Sequence, residues 1–344
     1  MYNLKNAEEK GKLTKISVMG AGTWGTALAN MLANGGNDVT LWSALPSEIE
    51  VMSETHIHPK LEGVVLSDLI KYETDMKKAV QGSGIVILSV PSLYVRQTAR
   101  LLSACLGEET EIIVDVAKGL EKGTHKTLTE VIRDEIPNEK ISLVALSGPT
   151  HAEEVAVCLP TLIVAASENA EAAKRIQREF SNGYFRVYTN SDVKGIELCG
   201  ALKNIIALAA GISSGLGYGD NARAAIITRG MAEITRLGVK LGCSHRTFES
   251  LAGIGDLVVT CTSAHSRNNR AGYLIGKGLS AEDAVREVGM VVEGLNALPA
   301  AMELSEKYDA ELPICSVVDR IVKGSISPAE ALECLMLRDL KAEI

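Results

Sequence analysis

Seven cysteines are scattered through the 344 residues, with no C-x-x-C pair and no cysteine–histidine cluster at zinc spacing. That excludes a disulfide-stapled scaffold and a zinc module, and it suits reduced thiols in a cytoplasm. His56-Ile57-His58, beside Pro59, reads as a loop rather than a metal fragment. No block of like charge occurs and the formal net charge is −8, so nucleic acid and anionic membrane are poor partners. The opening MYNLKNAEEKGKL has no apolar signal core, so export is not expected and residues 1–13 read as a flexible extension. No clean run of the ~18 apolar residues that a membrane span needs is visible, so membrane insertion is not expected either. What is present is apolar material for a packed core, 46% of the chain, in a length that suits one or two domains.

The first apolar run reads KISVMGAGTWGTALANMLANGG. Ile16 and Val18 suit a buried parallel strand, Trp24–Leu32 suits a helix, and Gly35-Gly36 ends it. Between them Gly20, Gly22 and Gly25 spell G-x-G-x-x-G in strand–turn–helix context. The first glycine makes the tight turn, the second admits a pyrophosphate, and the third packs helix on sheet. A pyrophosphate there would rest on free N–H groups at the positive helix end.

Further strand patterns follow at Asp38–Trp42, Gly84–Ser92, Glu111–Leu120, Ile141–Thr150, Thr161–Ser167 and Phe185–Asn190, with helical patterns between most of them, such as Tyr94–Ala104 and Thr127–Glu135. Alternation of this kind predicts a Rossmann-type, doubly wound, mostly parallel sheet covered on both faces. From Asp192 the strand candidates stop. Helical patterns then run over Ala222–Leu241, Arg267–Gly276, Ala281–Val288, Leu295–Tyr308, Pro313–Lys323 and Pro328–Leu337. The expected fold is α/β, with a dinucleotide-binding domain over 14–191 and an all-α substrate and catalytic domain over 192–344.

Lys203 is the first candidate for chemistry. Its helical neighbours Ile196, Cys199, Gly200, Ile206, Ala207 and Ala210 are all apolar or small. Desolvation in such a stripe would lower the lysine pKa toward the range of a useful proton donor or acceptor. The alternative is a lysine snorkelling to the surface. Asn204 beside it also needs a polar partner. Lys118 follows a strand at its carboxyl end, where ligands sit in open α/β sheets, although a surface loop lysine fits equally. In SGPTHAEEVA, Gly148 and a helix start could hold a polar ligand, while Thr150 and Glu153 read as a capping box. Asp256 reads as a helix cap or as a partner for Lys203, with Thr260 on the same face if that turn is helical. Ser266 reads as an N-cap. Arg267 then opposes the helix dipole unless an anion binds there with Asn268, the alternative being a merely exposed arginine.

Together GAGTWGTALA, AKGLEKGT, SGPTHAEEVA, ELCGALKNIIALAAGISSGLGYGDNARAAIITRG, LAGIGDLVVTCTSAHSRNNRAG and VVEGLNA resemble the bacterial NAD(P)-dependent glycerol-3-phosphate dehydrogenases, from about Lys15 to the C-terminus. The resemblance implies interconversion of dihydroxyacetone phosphate and sn-glycerol 3-phosphate for phospholipid synthesis, by a homodimer without a metal. It implies Lys203 as acid/base, and Lys118, Gly148, Thr150, Asp256, Ser266, Arg267 and Asn268 around the substrate, to which the residue pattern beside Lys203 adds Asn204 and Thr260. It implies cofactor contacts from Thr23, Trp24, Lys118, Ala152, Arg267, Val291 and Glu293, beside the glycines. A related hydroxy-acid dehydrogenase and a non-catalytic dinucleotide sensor are the alternatives.

One stretch departs from the family. After the second strand, where a basic residue or pair often grips the NADP 2′-phosphate, this chain has Ser43, Ala44 and Leu45. It offers no arginine for NADP and no strand-end aspartate for NAD. Ser43 and Ser47 could hold phosphate weakly, and use of both cofactors is expected.

Overall fold

The computed structural model describes residues 14–340 and 342, so the expected extension over 1–13 lies outside the described residues. The chain forms two compact units. One runs to Lys118 and resumes over Thr127–Val193; the other comprises Gly119–Lys126 and the chain from Lys194 onward.

The first unit contains β1 (Lys15–Met19), α1 (Thr23–Asn34), β2 (Asp38–Trp42), α2 (Pro46–Thr55), β3 (Lys71–Glu73), α3 (Met76–Val80), β4 (Ile85–Leu88), α4 (Val95–Ser103) and β5 (Ile112–Asp115). It continues with α5 (Leu128–Glu135), β6 (Ser142–Ser147), α6 (Ala152–Ala156), β7 (Thr161–Ala166), α7 (Ala170–Phe180) and β8 (Phe185–Asn190). The strands make one sheet in the order β3-β2-β1-β4-β5-β6-β7-β8, parallel except between β6 and β7. The strand order reverses beside β1, which pairs Met19 with Trp42 on one side and with Leu88 on the other. Ligands of open α/β sheets bind at such a switch point. Successive residues of β4 serve opposite cores, Ile85 and Ile87 on one face, Val86 and Leu88 on the other. Burial on both faces is why these strands read as unbroken apolar runs.

The second unit is helical: α8 (Val193–Gly215), α9 (Asp220–Lys240), α10 (His245–Phe248), α11 (Asp256–Thr262), α12 (Arg267–Gly276), α13 (Ala281–Val288), α14 (Glu293–Lys307), α15 (Pro313–Val322) and α16 (Pro328–Met336). The sequence patterns for α12 and α13 coincide with the helices residue for residue. α8 is buried on every side, so it packs as a core helix. It corrects one expectation: by length and mean hydropathy, 1.5, α8 could cross a membrane, yet its most apolar window is wholly buried. Glu197 and Lys203 interrupt the apolar run of α8 without lowering its mean much.

Helix α12 lies against α8 backbone to backbone. A Cβ on Gly211 would come within 2.1 Å of the Asn269 carbonyl oxygen, and one on Gly272 within 2.1 Å of that of Leu208. No larger residue fits at either crossing point.

Buried Glu233 on α9 accepts from the Ile314 and Cys315 N–H groups at 2.7 and 3.2 Å, capping α15. Burial outweighs those bonds and lifts its carboxyl from 4.5 to about 7. A carboxyl protonated in the folded chain and ionised in the unfolded one stabilises the fold fully below pH 4.5. That contribution, on the order of 3 kcal/mol, disappears as the pH rises to about 7. Urea midpoints should therefore fall across this window in the wild type and stay level in Glu233→Gln; equal slopes in both would remove Glu233 as the cause.

Candidate active site

On the first unit, the glycine turn is set by close approach. Gly20 has φ +124°, and a Cβ there would meet the Ser89 carbonyl oxygen, just past β4, at 2.4 Å. A Cβ on Gly25 would meet the Gly20 oxygen at 2.0 Å. Gly22, by contrast, is exposed and would have nothing within 4 Å. Thr23 and Trp24 open α1, whose first turn carries no acidic residue. The parallel strands bring β5 and β6 to the same sheet edge, where Lys118 Nζ donates to the Gly148 carbonyl at 3.0 Å. Thr150 also donates to that carbonyl, at 3.2 Å. The capping box expected at Thr150 is absent. His151 is the N-cap residue of α6, without a side-chain cap, because the Thr150 hydroxyl is turned back to Gly148. Ala152 begins that helix.

On the second unit, Lys203 is 5% exposed and Asp256 1%. Lys203 Nζ lies 2.5 Å from Asp256 Oδ1 and 2.6 Å from Thr260 Oγ1. The Thr260 proton goes to the Asp256 carbonyl at 2.6 Å, so its hydroxyl oxygen accepts from the ammonium. Asp256 is delivered by a π-helical turn, Leu251–Gly255, kinked at Gly253. A Cβ on Gly253 would meet the Phe248 carbonyl oxygen at 2.2 Å. Such π-turns recur at functional sites because they re-aim the next residue. Here the residue is re-aimed at Lys203 rather than used as a helix cap.

A second buried chain joins three helices. Asn204 Nδ2 donates to Gly200 O at 3.1 Å, Asn268 Nδ2 donates to Asn204 Oδ1 at 2.9 Å, and the Gly294 N–H donates to Asn268 Oδ1 at 2.9 Å. These bonds fix both amide orientations and dock the start of α14, beside Val291 and Glu293, on α8. Ser266 caps α12 by accepting from the Asn269 N–H at 3.2 Å. Arg267 is exposed at that helix start, which has no acidic residue. Among the described residues it makes no ion pair or hydrogen bond. A cation there, with nothing to offset it, gives the helix N-terminus the character of an anion site.

Residues 15–173 match the family model for the N-terminus of NAD-dependent glycerol-3-phosphate dehydrogenase, and 192–333 match that for its C-terminus. The chain belongs to the NAD-dependent glycerol-3-phosphate dehydrogenase family. The glycerol-3-phosphate dehydrogenase (NAD(P)+) 2 of Lactobacillus delbrueckii subsp. bulgaricus is 56% identical over 336 residues, spanning 96% of this chain and 99% of that one. The Bacillus subtilis glycerol-3-phosphate dehydrogenase (NAD(P)+) is 46% identical over 95% of each chain. A crystal structure of glycerol-3-phosphate dehydrogenase from Coxiella burnetii superposes with a TM-score of 0.90 at 37% identity, over 95% of this chain and 99% of that one. Membership makes the chain an NAD(P)-dependent oxidoreductase and sets the sensor alternative aside.

The glycine turn of this family member fits a dinucleotide. The open face at Gly22 and the unoffset positive end of α1 are what a pyrophosphate requires. The residues near the end of β2 read differently from the sequence. Ser43 is not available as a weak phosphate donor, since its hydroxyl donates to Glu48 Oε2 at 2.7 Å and accepts from the Leu45 N–H at 3.1 Å. His58, in the loop after α2, lies with Nε2 3.2 Å from the Ala21 carbonyl within the glycine turn. The sequence signal for both was weak, because Glu48 and His58 stand outside any periodic motif.

Proposed function

We propose that the chain interconverts dihydroxyacetone phosphate and sn-glycerol 3-phosphate, with Lys203 as the group that moves the proton on the C2 oxygen. Bound NADH or NADPH supplies the hydride that reduces C2. The observation that carries the reading is the buried lysine held by Asp256 and Thr260. In reduction the Lys203 ammonium stabilises negative charge developing on the C2 oxygen and gives it a proton; in oxidation the neutral amine takes the proton back. Asp256 is the positioning residue: its carboxylate stabilises the ammonium and holds Nζ in one place. Arg267 and Asn268, at the capped start of α12, are assigned to the substrate phosphate, with Ser266 keeping that helix end in register. Asn204 orients the Asn268 amide. On the first unit, Lys118, Gly148 and Thr150 are assigned to substrate, and Thr23, Trp24 and Ala152 to the cofactor, as are Val291 and Glu293 of the second.

A homodimer in the cytoplasm, free of nucleic acid and membrane, whose product supplies phospholipid synthesis, completes the proposal. The acidic net charge and the buried position of α8 support its soluble part. The test is oxidation of NADH and NADPH with dihydroxyacetone phosphate, set against a 2-oxo acid of similar length. Turnover confined to the phosphate ester is expected; faster turnover of the oxo acid would overturn the substrate assignment.

A further inference from the structure

The sequence around the end of β2 leaves the choice between NADH and NADPH open, but folding brings a carboxylate there from elsewhere. Glu48 stands in the first turn of α2. Buried Ser43, the residue after β2, ties it down by donating to Oε2 at 2.7 Å, while the Leu45 N–H holds the serine oxygen. Oε1 makes no hydrogen bond among the described residues. His58 lies at the glycine turn, and the Glu48 charge acts on its imidazole. The Lys60 N–H donates to His58 Nδ1 at 3.1 Å, so the proton sits on Nε2, which donates to the Ala21 carbonyl.

We propose that Glu48 is the specificity-determining residue that makes the enzyme favour NADH over NADPH. Its carboxylate, braced by Ser43, accepts a hydrogen bond from the adenosine ribose 2′-hydroxyl and repels a 2′-phosphate. Enzymes of this architecture commonly place such an acid at the strand end itself; here it reaches the same region from the following helix. NADPH still binds, more weakly. The inference rests on the reading that the dinucleotide lies on the Gly20–Gly25 turn.

Equilibrium titration of NADH and NADPH, read by nicotinamide fluorescence, tests both levels. The wild type should bind NADH about ten-fold more tightly or better, ~1.4 kcal/mol. Added salt should narrow that gap by screening the repulsion. Glu48→Gln, which keeps an acceptor for Ser43 and so keeps the turn, should shift the affinity ratio toward NADPH by about ten-fold. An unchanged ratio, or a wild type that prefers NADPH, overturns the role of Glu48. Gly22→Val serves as the separate control. Its backbone is extended and its Cβ would meet nothing within 4 Å, so the fold accepts it. It should lose both cofactors together; wild-type binding of both would overturn the dinucleotide site itself.

Discussion

Lys203→Ala should lose turnover by about 10²–10⁴-fold, the usual contribution of a positioned acid or base, while NADH still binds. The fold will register the change as well. Lys203 and Asp256 form a buried ion pair, and removing one partner leaves the other charge without compensation, at a cost of about 3–5 kcal/mol. Activity and stability can nevertheless be separated. The double variant Lys203→Ala/Asp256→Asn removes the orphaned charge, so its urea midpoint should recover much of the loss. Its turnover should not recover at all, because no proton carrier has been restored. If Lys203→Ala, measured where it remains folded, turns over within about three-fold of wild type, the lysine is structural and the proton comes from elsewhere.

Arg267→Ala should produce the opposite pairing of effects. Truncating one side of a charge pair that becomes buried costs about 2–5 kcal/mol. The KM for dihydroxyacetone phosphate should then rise by about thirty-fold or more. Inorganic phosphate should compete with substrate in the wild type and much less in the variant. The free protein should not be destabilised, because Arg267 is exposed and makes no ion pair or hydrogen bond among the described residues. Relief of an unfavourable charge at the start of α12 should even add up to ~1 kcal/mol to its stability. A residue whose removal weakens substrate binding and steadies the fold is kept for binding. An unchanged KM would place the phosphate site elsewhere.

Much of this site can be read along the chain because its logic is local. The G-x-G-x-x-G turn sits between a strand and a helix that each announce themselves by pattern, and the structure explains each glycine by a contact or by its absence. The start of α12 was legible for the same reason: Ser266 caps, Arg267 follows, and both facts concern adjacent residues. Lys203 stood out because its apolar face-mates recur at helical spacing, which one helix alone dictates.

What the sequence could not decide are the contacts between residues far apart. Lys203 meets Asp256 across 53 residues, and Asn268 meets Asn204 across 64. Those meetings depend on a π-turn that re-aims Asp256, and on glycines that let α12 touch the backbone of α8. Periodicity carries no information about either. Thr150 departs from the capping-box pattern because that pattern is local, whereas its hydroxyl is claimed by the same Gly148 carbonyl that accepts from Lys118. Ser43 and Glu48 are only five residues apart, yet their pairing needs a chain reversal that β2 and α2 make together. By itself the sequence determined the two-part architecture of sheet and helices, the glycine turn and the lysine set in an apolar helix face, since each follows from short-range spacing and burial. The partners of that lysine, the orientation of the two asparagines and the charge near the end of β2 were decided by tertiary packing, because only packing sets which distant polar groups are desolvated together and must satisfy one another.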